Sequence, residues 1–268
     1  MAKIKKLPSF ENPPINEVVM AIQFTPVEGF NVLHYNDVYS LFEKDFKHHQ
    51  QKPRLQPTFE TFGGNSSDPI SIELTSGMEL PRMWFVSKKG EKLIQFQDDK
   101  FIFNWRKRSM KPTYPRYENL LVEFQNLLEK LSNYFKSNFK SEIEITQIEL
   151  SYLNIIPLRN LTEIDKWIKL PKIDLEDVES LNVSMARVLQ DASGASFARF
   201  STSVATATNR NSGDRAIQLG LSVKGRPSEE MDQLLPIDFF NLAREKIVTT
   251  FNDITTSKAH KAWSKHEQ

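Results

Sequence analysis

Residues 82–106, RMWFVSKKGEKLIQFQDDKFIFNWR, decide the fold. Two runs of strand-forming residues flank the turn sequence KGE at 89–91, and a third run follows the acidic turn DD at 98–99. Short runs rich in aromatic and β-branched residues, separated by tight turns, are typical of antiparallel hairpins. Alternate positions of the third run share one face. These positions are all aromatic: Phe101, Phe103 and Trp105.

Another strand is predicted directly after Pro13 and Pro14, because the prolines keep the preceding chain extended. Its sequence, EVVMAIQF at 17–24, is apolar at both odd and even positions. A strand that is apolar on both faces is typical of the middle of a sheet. We therefore expect a central position for this strand. Further short strands are predicted at 54–62 and 70–75.

Two long helices are predicted, each of which begins near a proline, at Pro115 and Pro236. A third, amphipathic helix is predicted from Val32 to about His48. The long helices carry apolar residues at intervals of three and four, which is the spacing of a core-facing stripe. The first stripe is Leu120, Phe124, Leu127, Leu131 and Phe135, and the second is Phe240, Ala243, Ile247, Phe251 and Ile254.

The second half of the chain repeats the order of elements of the first. It has an extended stretch at 143–158 and a short helix at 162–169, then three strands and the second long helix; the strands are 183–190, 196–208 and 215–224. The sequence thus predicts an α+β fold of two similar tandem β-α-β-β-β-α units, 1–141 and 142–268, within one compact domain. Antiparallel-rich sheets would have the long helices packed on one face, and the two units would stack sheet to sheet or share one continuous sheet.

Composition excludes several classes of function. Thirty-five Lys and Arg balance 34 Asp and Glu, so the formal net charge is +1 and no global field attracts nucleic acid or an anionic membrane. The chain has no Cys, which excludes disulfides and thiolate chemistry. The basic N-terminus is not followed by an apolar signal segment, and no apolar run approaches the ~18 residues that span a bilayer. We expect a cytoplasmic protein without a membrane partner.

Motifs for catalysis or cofactor binding are missing from the sequence. The five His form no HExxH pattern, and neither a phosphate loop nor a GxSxG motif is present. We therefore expect no catalytic set, no metal and no cofactor.

The stretch 88–116 is the most unusual part of the sequence, because basic residues alternate there with aromatic ones. Cations beside aromatic rings are what phosphate neutralisation and base stacking require. The alternative interpretation is that the aromatic residues face the core while Lys and Arg face solvent. The residues selected as partner- or anion-binding candidates are Lys88, Lys89, Lys92, Trp105, Arg106, Arg108 and Arg116.

Arg106 and Arg108 share a face if the strand extends that far. Two guanidinium groups side by side bind a carboxylate or phosphate in a bidentate manner. The anion would come from a partner, from a substrate or from Glu149.

Three segments carry a family resemblance: PPINEVVMAIQFTP at 13–26, FNWRKRSMKPTYPRYENLLVEF at 103–124 and AREKIVTTFNDITTSKAHKAW at 243–263. In these segments the chain resembles a sporadically distributed family of uncharacterised bacterial proteins of about this length. The resemblance implies no activity, cofactor or catalytic residues. A sporadic distribution implies genes on mobile elements, and hence a role beside toxin–antitoxin or antiphage-defence partners. The residues that carry the resemblance are Pro13, Pro14, Glu17, Val18, Phe103, Trp105, Arg106, Tyr114, Pro115, Phe251, Ile254 and Thr255.

The sequence therefore favours a non-catalytic binding or regulatory protein, one subunit of a bacterial complex with another protein. One alternative is a nucleic-acid-binding accessory protein that acts through 88–116. The other is an enzyme of unrecognised class with a site built from Arg106, Arg108 and Glu149. The oligomeric state stays open.

Overall fold

The computed structural model describes residues 7–62, 80–108, 113–170, 178–191, 193–208, 213–226 and 236–266. Nine strands are present in these ranges: β1 (Ile15–Phe24), β2 (His48–Lys52), β3 (Arg82–Val86), β4 (Lys92–Gln97), β5 (Lys100–Arg106), β6 (Ile145–Leu158), β7 (Asn182–Gln190), β8 (Ser196–Thr208) and β9 (Arg215–Gly225). The α-helices are α1 (Tyr35–Ser40), α2 (Tyr117–Phe139), α3 (Pro236–Ile254) and α4 (Ser257–Ala262), and short 3-10 helices span Val32–His34 and Leu161–Lys166.

All nine strands belong to one antiparallel sheet with the order β2-β3-β4-β5-β1-β6-β9-β8-β7. β1 is in the middle, as its two apolar faces predict, and pairs with β5 on one side and with β6 on the other. The edges are the short polar strand β2 and the exposed strand β7.

The predicted fold class is wrong. The structure is a mostly-sheet fold built on one nine-stranded antiparallel sheet, not an α+β fold of tandem units with long helices packed on one face. The physical reason is that one sheet of nine strands outweighs the helices, and the pairing of β1 with β6 unites the strands of both halves of the chain through backbone hydrogen bonds. The proposed unit boundary at residues 141/142 lies between α2 and β6, and the division into two units stays a prediction.

The core packs on one face of the sheet, here called the apolar face. β1 contributes Val18, Met20, Ile22 and Phe24 to it, and each is at most 1% exposed. β5 contributes the three aromatic residues that the sequence placed on one face, so that prediction is confirmed. The predicted stripes of α2 and α3 are buried in the same core, apart from the half-buried Ile254. None of the helices in the described ranges has the length and apolarity needed to cross a membrane.

The other face of the sheet, here called the polar face, carries the alternate residues of the same strands. Segment 53–62 crosses part of it without forming a strand, so the strand predicted at 54–62 is wrong. Side chains of the sheet satisfy the backbone of this segment instead: the Leu55 amide donates to Gln97 Oε1 at 3.1 Å, and the Thr58 amide donates to Gln23 Oε1 at 3.2 Å. The strand predicted at 70–75 lies outside the described residues.

The helix predicted at 32–48 is also largely wrong, because α1 ends at Ser40, turns continue to Asp45 and β2 begins at His48. The apolar spacing still identified the buried residues, since Val38, Phe42 and Phe46 are all in the core. The chain must reverse here to begin β2, and a strand as polar as HHQQK gives no strand signal of its own.

Replacing Phe103 with Ala tests the shared core. Phe103 is 1% exposed in β5, so loss of its ring leaves a cavity, and we expect the free energy of unfolding to fall by about 3–5 kcal/mol. Urea denaturation followed by fluorescence and circular dichroism measures this. Val122→Ala is the control, because Val122 is 56% exposed on α2 and its loss should change stability by less than about 0.5 kcal/mol. We expect one transition with both probes; two separate transitions would contradict a single cooperative sheet.

Candidate anion-binding site on the polar face

A group of polar side chains lies on the polar face near the β2 edge of the sheet. Alternation along each strand sends these side chains to this face while their neighbours enter the core: Phe85 in β3, Phe96 in β4 and Phe103 in β5 are all buried. The group consists of Lys52 from β2, Arg82 and Trp84 from β3, Gln95 from β4, Asn104 and Arg106 from β5, and Glu17 from β1.

Hydrogen bonds connect five members of this group across four strands. The buried Gln95 accepts at Oε1 from Arg82 Nη1 at 2.8 Å and from Trp84 Nε1 at 3.0 Å. Its amide nitrogen donates to Asn104 Oδ1 at 2.8 Å, and the Asn104 amide donates to Glu17 Oε1 at 2.8 Å. The network therefore fixes Arg82 and Trp84 relative to the central strand β1.

The Trp84 ring is surrounded by cations. Lys52 Nζ is 4.7 Å from the ring centroid, and the guanidinium carbons of Arg82 and Arg106 are 5.8 and 5.7 Å from it. Cations at these distances are attracted by the ring quadrupole. Glu17 is the carboxylate of the hydrogen-bonded network, so positive charge exceeds negative charge at this site.

Arg82 and Arg106 each have one N–H donor that is buried away from water. The Nε atoms of Arg82 and Arg106 are buried and have no acceptor among the described residues. Arg106 uses Nη2 to donate to the Gly90 carbonyl at 3.2 Å, and the exposed Arg108 donates from Nε to the same carbonyl at 3.4 Å. A buried donor without an acceptor costs about 1–3 kcal/mol. An added acceptor would remove this cost.

Electrostatics at the two arginines favour an added anion. Burial lowers the pKa of the Arg106 guanidinium, the neighbouring Arg108 lowers it further, and Glu17 opposes both effects. Burial also lowers the pKa of Arg82. Both groups stay protonated at neutral pH because arginine titrates far above it. Each therefore carries a charge that its surroundings compensate incompletely.

The structure divides the sequence-selected residues between the two faces. Arg106 and Arg108 lie near each other at the polar face, and Lys88 and Lys89 are exposed in the turn between β3 and β4. The remaining three point elsewhere: Lys92 Nζ pairs with Glu123 of α2 at 2.8 Å, Trp105 packs on Tyr114 in the core, and Arg116 donates to the Phe10 carbonyl at 2.7 Å. Residues 109–112 of the stretch lie outside the described residues.

Glu149 does not join Arg106 and Arg108. In the sheet, Glu149 is the partner of Ala21, whereas Arg106 is the partner of Glu17. The four positions between Glu17 and Ala21 correspond to about 13 Å along β1. Glu149 instead accepts from Ser151 Oγ at 2.6 Å and lines a separate cavity of about 320 Å³ with Lys100 and Lys224. The arginine–glutamate site expected of an enzyme is therefore not assembled.

Of this group, the sequence selected Arg106 as a binding candidate and not Lys52, Arg82, Trp84, Gln95, Asn104 or Glu17. A signal was present, since Gln95 and Asn104 are polar residues that stand between two apolar neighbours in their strands. Such positions predict a polar face. Which polar residues meet across strands depends on the register, however, and the sequence does not supply it.

The described residues contain no group of three or more His, Asp or Glu side chains placed to hold a metal ion. No protein-family model matches the chain, and no curated protein matches its sequence.

Replacing Gln95 with Leu tests the network. The change leaves Trp84 Nε1, Arg82 Nη1 and Asn104 Oδ1 without their common partner, so we expect a loss of about 1–3 kcal/mol in the free energy of unfolding. Urea denaturation measures it, and Gln125→Leu on the exposed side of α2 is the matched control. Equal stability of the two variants would show that the network does not hold the site.

Proposed function

We propose that the chain is a non-catalytic binding protein, one subunit of a complex, and that it binds an acidic group of a protein partner between Arg82 and Arg106. The observation that carries the proposal is the pair of buried Nε donors without acceptors on the two arginines around Trp84. A carboxylate that accepts from the Nε edge of a guanidinium forms the bidentate pair that arginine favours.

A protein partner fits this geometry better than nucleic acid does. Base stacking needs an exposed ring, but Phe101, Phe103 and Trp105 of the stretch 88–116 are buried on the apolar face. The Trp84 ring already has three cations around it. For the alternative of a nucleic-acid-binding accessory protein, the exposed cations are still available to contact phosphate groups. The three buried aromatic residues are not available to stack on bases.

The non-catalytic part of the proposal rests on the separation of the charged groups. Arg106 and Glu149 are on the same face but have different partners along β1. Arg82 and Trp84 are fixed by hydrogen bonds to Gln95, which suits a rigid recognition surface. The family resemblance adds the context: a bacterial complex linked to toxin–antitoxin or antiphage defence is part of the proposal on that basis alone.

A binding experiment with a defined acidic ligand tests the site. An acetylated tetraglutamate peptide, titrated calorimetrically into the full chain, should bind, and Arg106→Gln should weaken the binding by roughly tenfold or more because a charged hydrogen bond is lost. Arg106→Lys should weaken peptide binding as well, since lysine keeps the positive charge but lacks the planar guanidinium group that donates two parallel hydrogen bonds. Arg226→Gln, on an exposed arginine after β9, is the matched control and should bind as the unmodified chain does.

The same variants test the complex. The tagged full chain, isolated from its native host, should retain a stoichiometric protein partner that Arg106→Gln loses and Arg226→Gln keeps. Thermal unfolding of the variants checks that the fold is intact. A partner retained equally by both variants would refute the site, and steeply salt-dependent binding of an oligonucleotide with no protein partner would favour the nucleic-acid alternative.

A further inference from the structure

A partly open cavity lies on the apolar side of the sheet, away from the group of Arg82, Trp84 and Arg106 on the polar face, here called the arginine–tryptophan site. Its volume is about 160 Å³, and its walls come from the chain before β1, the start of α2, the middle of α3 and the strands β6 and β9. The residues that matter for its chemistry are Tyr114, Tyr152, Arg116, Arg244, Val248 and Phe251.

Two tyrosines at this cavity leave one proton without an acceptor. The hydroxyl oxygens of Tyr114 and Tyr152 are 3.2 Å apart, and neither has another hydrogen bond within the described residues. Each phenol has one O–H to donate. When one donates to the other, the second proton has no acceptor. Tyr152 is only 6% exposed, so water does not compensate freely. The pair therefore presents a hydrogen-bond donor at the cavity.

Both hydroxyls stay protonated under ordinary conditions. Burial raises the pKa of Tyr114 to about 12, against the opposing hydrogen bond from Tyr152. Burial also raises the pKa of Tyr152 well above its usual value. The two phenols therefore act as donors throughout the physiological range.

The charged groups at the cavity sum to one positive charge. Arg244 pairs with Glu118, with 2.8 Å between Nη1 and Oε1, and its guanidinium lies 4.6 Å from the Tyr117 ring centroid. Arg116 has a neutral partner, since its Nη1 donates to the Phe10 carbonyl at 2.7 Å. A ligand with one negative charge would neutralise Arg116.

Part of the remaining wall is apolar and suits a ring, and the polar residues Ser9 and Asn154 line another part. Ile247 and Phe251 of α3 and Leu221 of β9 are buried beside the cavity. An apolar cavity of about 150 Å³ in another protein binds benzene, so the volume here suits one six-membered ring. A ligand therefore needs a small apolar body and a single acidic group.

We propose that this cavity binds a small aromatic carboxylate of about the size of benzoate. The ring lies against Ile247 and Phe251, and the carboxylate accepts from the free O–H of the Tyr114–Tyr152 pair and faces Arg116. This ligand site is independent of the arginine–tryptophan site on the polar face, because the two are on opposite sides of the sheet.

Calorimetric titration of the full chain with benzoate tests the proposal, with toluene and benzyl alcohol as uncharged probes of similar shape. Benzoate should bind at one site per chain and at least roughly tenfold more tightly than either uncharged probe, because only benzoate offers a charged acceptor. The double variant Tyr114→Phe/Tyr152→Phe should weaken benzoate binding by roughly tenfold, since it removes both hydroxyls that can donate to the carboxylate. Tyr134→Phe, whose hydroxyl donates to Asp37 far from the cavity, is the matched control.

A steric variant separates occupancy of the cavity from folding effects. Val248 is half-buried in the wall, so Val248→Trp should fill the space, abolish benzoate binding and leave thermal unfolding nearly unchanged. Benzoate that does not bind, binds no better than toluene, or still binds to Val248→Trp would overturn the proposal.

Discussion

The antiparallel pairing of β1 with β6 is the interaction on which the rest of the structure depends. It runs from Ile15 opposite Asn154 to Phe24 opposite Ile145, with register shifts near both ends. Every other strand extends the sheet outward from this pair. A slip of one residue would exchange the two faces of a strand, because side chains alternate with a period of two. The buried row Val18, Met20, Ile22 and Phe24 makes such a slip costly, so the core also fixes which residues occupy the polar face.

The two faces of the sheet differ in how they are stabilised. The apolar face buries large aromatic residues, whose contribution needs area but no specific partner. The polar face buries amides such as Gln95 and Asn104, and burial of an amide is tolerated only with hydrogen bonds. Those hydrogen bonds are complete along the network, whereas the Nε atoms of Arg82 and Arg106 remain unsatisfied. The packed core behind the sheet fixes the strands that carry Arg82 and Arg106. It thereby keeps both guanidinium groups in place although their Nε atoms lack acceptors.

Residues that are neighbours in the sequence of a strand are not all neighbours in space, because successive side chains point to opposite faces of the sheet. Within the stretch 88–116, alternation sends Arg106 to the polar face and Trp105 to the core. Arg116 follows the end of β5 and lies at the start of α2, near the cavity on the apolar side. The apparent basic-aromatic surface thus separates into two chemically distinct places. Each place combines arginine with an aromatic side chain. On the polar face it is the indole of Trp84, and at the cavity it is the phenols of Tyr114 and Tyr152.

The sequence by itself determined most of the longer strands, the two long helices and the sides of these elements that are buried. Hairpin turns, the apolar stripes of α2 and α3 and the two-faced strand β1 are local patterns, and hydrophobic spacing reports them directly. The sequence did not determine the fold class, because nine strands in one sheet outweigh the helices, and that sheet depends on backbone pairing between residues more than 120 positions apart. Nor did it assemble the candidate site, since Arg82 and Arg106 meet around Trp84 only through the registers of β3, β4 and β5. Register is a property of packing and pairing, and only the tertiary structure decides it.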